Sequence, residues 1–183
     1  MKEIDLEKVF MFLEPGNVAM LSTAFGGKFN VMTFSWHMVL DFTGRFACVI
    51  GPWDYTYEAL VKTKECVVSV PTVELIKKVV NIGSCSGNEI DKFKKFSLTP
   101  LPAREVKAPL IGECIANIEC RVSDHIKRHD IFVLDAVAAW GNPNVKDKRK
   151  FHAVGNGTFY ADGEHIDLKD MMLKKPDVGD PQF

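Results

Sequence analysis

The sequence predicts a mainly β, antiparallel α+β domain in which short helices interrupt a barrel-like sheet. Three observations carry this. From Cys114 to Val122, Cys114, Ala116, Ile118, Cys120 and Val122 alternate with Asn117, Glu119 and Arg121, the two-residue period of a strand with one buried face. Two strand-like runs flank the turn Gly26-Gly27-Lys28, which spells a hairpin. Helical segments fall irregularly among at least six strands, so regular βαβ winding and a Rossmann domain are poor fits. By pattern alone the expectation is a closed antiparallel barrel with helical excursions.

Each element has its own reason. Leu6, Val9, Phe10 and Leu13 follow helical spacing, and Pro15-Gly16 stops that first short helix. Val18–Thr23 and Phe29–His37 are the hairpin strands. Arg45–Gly51 is a third strand, entered through Asp41-Phe42-Thr43-Gly44. Asp54 can cap a helix running to about Lys62, with Tyr57, Leu60 and Val61 on its apolar side. Cys66–Val70 is a fourth strand, closed by Pro71. Thr72 opens a helix with Leu75, Ile76, Val79 and Val80 on one face. A shorter helix is expected around Asn88–Phe96, and Leu98–Pro109, with three prolines, as an extended loop. Ile131–Trp140 is nearly all apolar, a strand covered on both faces.

The chain has 183 residues, enough for a single domain without staples, with a core at about 15–140 and a polar, turn-rich extension at 141–183. Its 23 basic and 24 acidic residues give a net charge of −1, which argues against nucleic acid held by a global basic field. No run approaches the roughly 18 apolar residues of a membrane span, and the N-terminus lacks the order of a secretory signal. Five cysteines without a C-x-x-C pair fit reduced thiols in a cytoplasmic protein. In that setting Asn156-Gly157-Thr158 is a chance glycosylation sequon. No histidine spacing supports a metal site.

Three segments could carry chemistry, and each has a plainer reading. In Asn81-Ile82-Gly83-Ser84-Cys85-Ser86-Gly87, small and hydroxyl-bearing residues precede a helix, so backbone N–H groups and Lys92 one turn later could hold an anion. The plainer reading is an N-capped turn. Asn30-Val31-Met32-Thr33-Phe34-Ser35-Trp36-His37 could offer hydrogen bonds to a flat heterocycle, with Trp36 as apolar wall. It also reads as a half-solvated strand. Gly51-Pro52-Trp53-Asp54-Tyr55-Thr56-Tyr57-Glu58 brings Thr56 to a helix start, where phosphate can bind, or where Thr56 is merely a polar first-turn residue.

Together these segments resemble the flavin reductase-like, FMN-binding split-barrel proteins, and among them the flavoredoxin-type branch. The resemblance rests on N-V-M-T-F-S-W, T-Y-E at the helix start, G-S-x-S-G-x-x-x-D-K-F, and A-P-L-I-G-E before a strand ending I-E-C, over roughly residues 15–140. It implies a homodimeric split barrel with FMN near the dimer interface. Asn30, Met32, Thr33, Phe34, Ser35 and Trp36 would line the ring. Thr56, Ser84, Cys85, Ser86 and Lys92 would surround the phosphate and ribityl chain. Family members often carry a basic residue where Pro52-Trp53-Asp54 stands, so phosphate neutralisation would rest more heavily on Lys92. His129, in the turn between the last two long strands, matches a histidine near the flavin; the bland alternative is an exposed turn residue. The implied function is an FMN-dependent oxidoreductase or electron-transfer protein, by NAD(P)H-dependent flavin reduction or flavoredoxin-like carriage to a redox partner. The alternative is a non-catalytic flavin- or ligand-binding module.

Overall fold

The computed structural model describes residues 1–171. Strand β1 (Lys2–Glu3) and helix α1 (Phe10–Leu13) precede the hairpin of β2 (Ala19–Phe25) and β3 (Lys28–Phe34). Phe25 pairs with Lys28, so the loop is the two residues Gly26 and Gly27. Both have positive φ, 59° and 75°, the conformation a two-residue hairpin turn demands and glycine supplies freely. The run expected as one strand to His37 breaks at Ser35-Trp36, and β4 (His37–Val39) starts anew.

Next come β5 (Arg45–Val49), α2 (Tyr55–Thr63), β6 (Glu65–Val70), α3 (Ile76–Gly83) and α4 (Lys92–Lys95). The expected helix over Asn88–Phe96 shrinks to the four residues of α4. Residues 86–89 close a turn instead, with Glu89 N–H donating to Ser86 O at 3.2 Å, and Asp91 takes the N-cap by accepting from Lys94 N–H at 3.0 Å. The proline-rich stretch is mostly irregular but contains β7 (Pro100–Leu101), which pairs with β8 (Leu110–Ile111). Long strands β9 (Ala116–Ile126) and β10 (Ile131–Gly141) follow, then the hairpin β11 (Phe151–Gly155) and β12 (Thr158–Ala161).

The main sheet runs β3-β2-β6-β9-β10-β5-β4, with β1 on the far end of β10. All its pairings are antiparallel. It curls around Leu21, Phe46, Leu60, Val68, Ile118, Phe132 and Leu134. It does not close: β3 and β4 are its two ends, so the barrel is split where the chain passes from one to the other. A second cluster, Met20, Val31, Val79, Ile82, Phe93 and Phe151, packs α3 and the C-terminal hairpin against the outside of β2 and β3.

The alternation of β9 predicts one buried face, yet Asn117 and Glu119 are buried too. The segment after β7 lies over that second face, with Val106, Ala108 and Leu110 packed on Val67, Val137 and Trp140. Glu119 makes this cover possible. Its carboxylate accepts N–H bonds from Arg104, Glu105 and Val106 at 2.6–3.1 Å and the Trp140 indole N–H at 2.6 Å. An ionised group can be buried only with its lone pairs occupied in this way. The two-sided cover expected for β10 is thus partly supplied by the chain's own proline-rich segment.

Candidate functional site

The strand β3 and the two helices flanking it place the candidate residues. Asn30 Nδ2 donates to Thr56 Oγ1 at 2.9 Å, tying β3 to the first turn of α2. Thr33 Oγ1 donates to Val79 O at 2.7 Å, tying β3 to α3. Between these tethers lies a cavity of about 430 Å³, within the ordinary range for small-ligand sites. It is lined by Asn30, Met32 and Thr33 from β3, Trp53 to Thr56 at the start of α2, Gly83 at the end of α3, Ser84 to Gly87 after it, Glu89, and Lys92.

Two features suit an anion. Asp54 is the N-cap of α2, but its side chain makes no cap bond; Oδ2 accepts from Gly51 N–H at 3.1 Å instead. The positive end of α2 is therefore left without a side-chain cap beside the cavity. Lys92, only 5% exposed, donates from Nζ to Ile82 O at 2.9 Å, on the last turn of α3. That bond uses one of three ammonium donors. Burial pulls the Lys92 pKa below its ordinary value, with the neighbouring Cys85 and Asp54 opposing the shift. Ser84 Oγ and Cys85 Sγ donate back to Val80 O and Asn81 O at 2.8 and 3.3 Å. Both residues still line the cavity, and Ser86 Oγ accepts from Asn88 N–H at 3.2 Å.

Gly87 closes one wall. A methyl group there would collide with Asn30 Oδ1 and reach 2.9 Å from the Tyr55 ring, so only glycine fits. Asn30 Oδ1 is buried and has no hydrogen-bond partner among the described residues. Beyond this wall lies a larger groove of about 660 Å³, floored by Phe29, Phe93 and Leu98. It lacks Lys92 and the serine hydroxyls, and its own lysines, Lys28 and Lys94, are exposed, so the buried ammonium lies in the smaller cavity.

The structure thus brings together Asn30, Met32, Thr33, Thr56, Ser84, Cys85, Ser86 and Lys92. Phe34 is instead buried in the core, Ser35 and Trp36 lie at the break between β3 and β4, and Trp36 is 67% exposed. His129 is exposed in the turn between β9 and β10. None of these four lines the cavity. The helix start beside the cavity is that of α2; Lys92 is the first residue of α4 rather than one turn inside a longer helix. Sequence reasoning passed over Trp53, Asp54, Tyr55 and Glu89 as site residues. The strand-to-helix turn Gly51–Tyr55 was the signal that could have found the first three.

Comparison with known proteins gives a consistent picture. The profile of the flavin reductase like domain family matches residues 11–161. An uncharacterized protein of Archaeoglobus fulgidus is 38% identical over 136 residues, covering 69% of this chain and 77% of that protein. Among solved structures, an FMN-binding domain of a flavin reductases-like enzyme from Shewanella baltica OS155 superposes with a TM-score of 0.84 at 24% identity, covering 91% of this chain and 96% of the other. The flavoredoxin of Desulfovibrio vulgaris (Miyazaki F) gives 0.75 at 22% identity, covering 83% and 89%. The split sheet, the cavity between β3 and α2, and the profile spanning most of the chain lead to one conclusion: this protein belongs to the flavin reductase-like domain family.

Proposed function

We propose that the chain binds FMN in the cavity between β3, α2 and the 83–89 loop and serves as an oxidoreductase or electron-transfer protein of the flavin reductase type. The observation that carries this is the convergence of a buried ammonium, an uncapped helix start and three hydroxyls, from Thr56, Ser84 and Ser86, on one cavity. A phosphate near two negative charges calls for such charge-assisted donors. Lys92 would neutralise it, and the first-turn N–H groups of α2 would complete its shell. Met32 offers apolar wall and Trp53 an aromatic face for a flat ring. When bound, the flavin supplies the hydride and single-electron chemistry, so the protein's part is to bind, orient and shield it. The names of the solved relatives, an FMN-binding domain and a flavoredoxin, support the same reading.

The test is flavin binding followed by reduction. Purified protein mixed with FMN and freed of excess by gel filtration is expected to stay yellow. Bleaching by NADH or NADPH identifies a reductase, whereas bleaching only by dithionite or a reduced protein identifies a carrier. Protein that emerges colourless overturns the reading in favour of a module without flavin.

We also propose a homodimer. On the end strand β4 and its flanks, Trp36, Met38 and Leu40 alternate onto one exposed face, at 67%, 57% and 42% exposure, with Phe42 (58%) just beyond. An edge strand carrying such a row is a pairing surface unless it is covered. Light scattering is expected to give about twice the 20.5 kDa chain mass. Met38→Lys, which places a charge in the middle of the row, is expected to shift the mass toward one chain. A wild-type mass of one chain at micromolar concentration refutes the dimer.

A further inference from the structure

The cavity assigned to the phosphate carries two carboxylates, Asp54 and Glu89, against one ammonium, Lys92. That balance is unfavourable for an incoming dianion. Glu89 is exposed, where water and salt screen its charge. Asp54 is only partly exposed and lies directly at the start of α2. Its carboxylate accepts a hydrogen bond from Gly51 N–H at 3.1 Å, at the end of a turn closed by Asp54 N–H on Gly51 O at 2.9 Å. The turn therefore keeps Asp54 in place beside whatever enters.

The other groups facing it are few. Of the titratable residues lining the same cavity, the 83–89 loop contributes Cys85 and Glu89, α4 contributes Lys92, whose charge acts on Asp54, and α2 contributes Tyr55. Strand β3 contributes Asn30, Met32 and Thr33, none of which titrates near neutrality. Burial already holds the Asp54 carboxyl above its ordinary pKa, with the Gly51 bond and Lys92 opposing. A second negative charge in the same cavity pushes in the same direction as burial.

We propose that Asp54 determines how the site discriminates between phosphorylated and unphosphorylated ligands: a phosphate-bearing flavin enters with uptake of one solvent proton, shared by the pair of the Asp54 carboxylate and the phosphate, whereas riboflavin enters without it. This rests on the FMN reading given above. No bond to the ligand forms or breaks, and no electrons move. The consequence is that FMN affinity falls as pH rises, while riboflavin affinity stays flat.

Calorimetric titration with FMN and with riboflavin, between pH 7 and 8.5 and in buffers of different ionisation enthalpy, tests this. That range lies above the second phosphate ionisation, near 6, so the ligand itself remains a dianion in solution. Wild type is expected to take up a proton with FMN and to lose up to about tenfold in affinity per pH unit, the limit for one linked proton. Asp54→Asn keeps the shape and N-cap capacity of the residue. It is expected to bind FMN at least about tenfold tighter at pH 8, with no proton uptake, and to change riboflavin affinity by less than FMN affinity. Asp54→Ser, a second cap-competent residue, should behave alike. If both variants match wild type in FMN affinity and pH slope, Asp54 has no such role. If neither flavin binds wild type at any pH, the FMN reading itself has failed, a result separate from the first.

Discussion

Replacing Lys92 with alanine is expected to weaken FMN about 10- to 150-fold while leaving riboflavin nearly unchanged. The size follows from losing a charged hydrogen bond, roughly 1.5–3 kcal/mol, at a factor of ten for each 1.4 kcal/mol. The effect falls on the phosphate because Lys92 is the one ammonium among the cavity's lining residues. Its Nζ already reaches Ile82 O, so some loss of order at the end of α3 accompanies the substitution. That loss would weaken both flavins, and the riboflavin arm separates it from a phosphate contact. Lys92→Met, which keeps the buried stem, should lose FMN affinity with less disturbance of the fold. Equal loss of both ligands in the methionine variant, or unchanged FMN affinity, would show that Lys92 serves only to cap α3.

Glu119→Ala is expected to destabilise the protein by at least about 3 kcal/mol, the scale for removing one side of a buried charged network. The carboxylate is fully buried and accepts from three consecutive backbone N–H groups and the Trp140 indole. Removing it leaves those donors buried without partners, each a penalty of about 1–3 kcal/mol. At about 2–4 °C per kcal/mol for a chain of this size, the melting temperature should fall by at least about 6 °C. Early cleavage by a protease should map to the segment around Arg104–Lys107, which Glu119 pins. Glu119→Gln retains one acceptor oxygen and should fall between alanine and wild type. A melting temperature within about 1 °C of wild type for Glu119→Ala would refute this account of the clamp.

Glu119 also shows where a sequence reading stops. In sequence it is one polar residue in a regular alternation, indistinguishable from Arg121 two positions on. Arg121 is exposed and Glu119 is fully buried, because a segment some 15 residues upstream folds over Glu119, while Arg121 only reaches its edge with a bond to Glu105 O at 3.3 Å. Trp36 and Trp53 make the same point at the cavity. Both are large aromatics beside a motif, and only Trp53 lines the site. The break at Ser35-Trp36, which takes the chain from one end of the sheet to the other, carries Trp36 away.

Local sequence signals were enough for the antiparallel strands, the Gly26-Gly27 hairpin, the start of α2 at Asp54 and most of the residues around the cavity. These depend on local signals: a period of two, a turn that needs positive φ, a cap residue beside an apolar face. The tertiary structure alone decided that the barrel stays split between β3 and β4, that α4 is too short to offer an anion its N-terminus, and that Lys92 shares the cavity with Asp54. The last of these rests on residues 38 positions apart, and the split on the pairing of the whole sheet, while α4 is cut short by the turn at 86–89 and the Asp91 cap, which compete with a longer helix. Long-range pairing is chosen by the packing of the whole core, whereas periodicity and propensity act over one or two turns of chain.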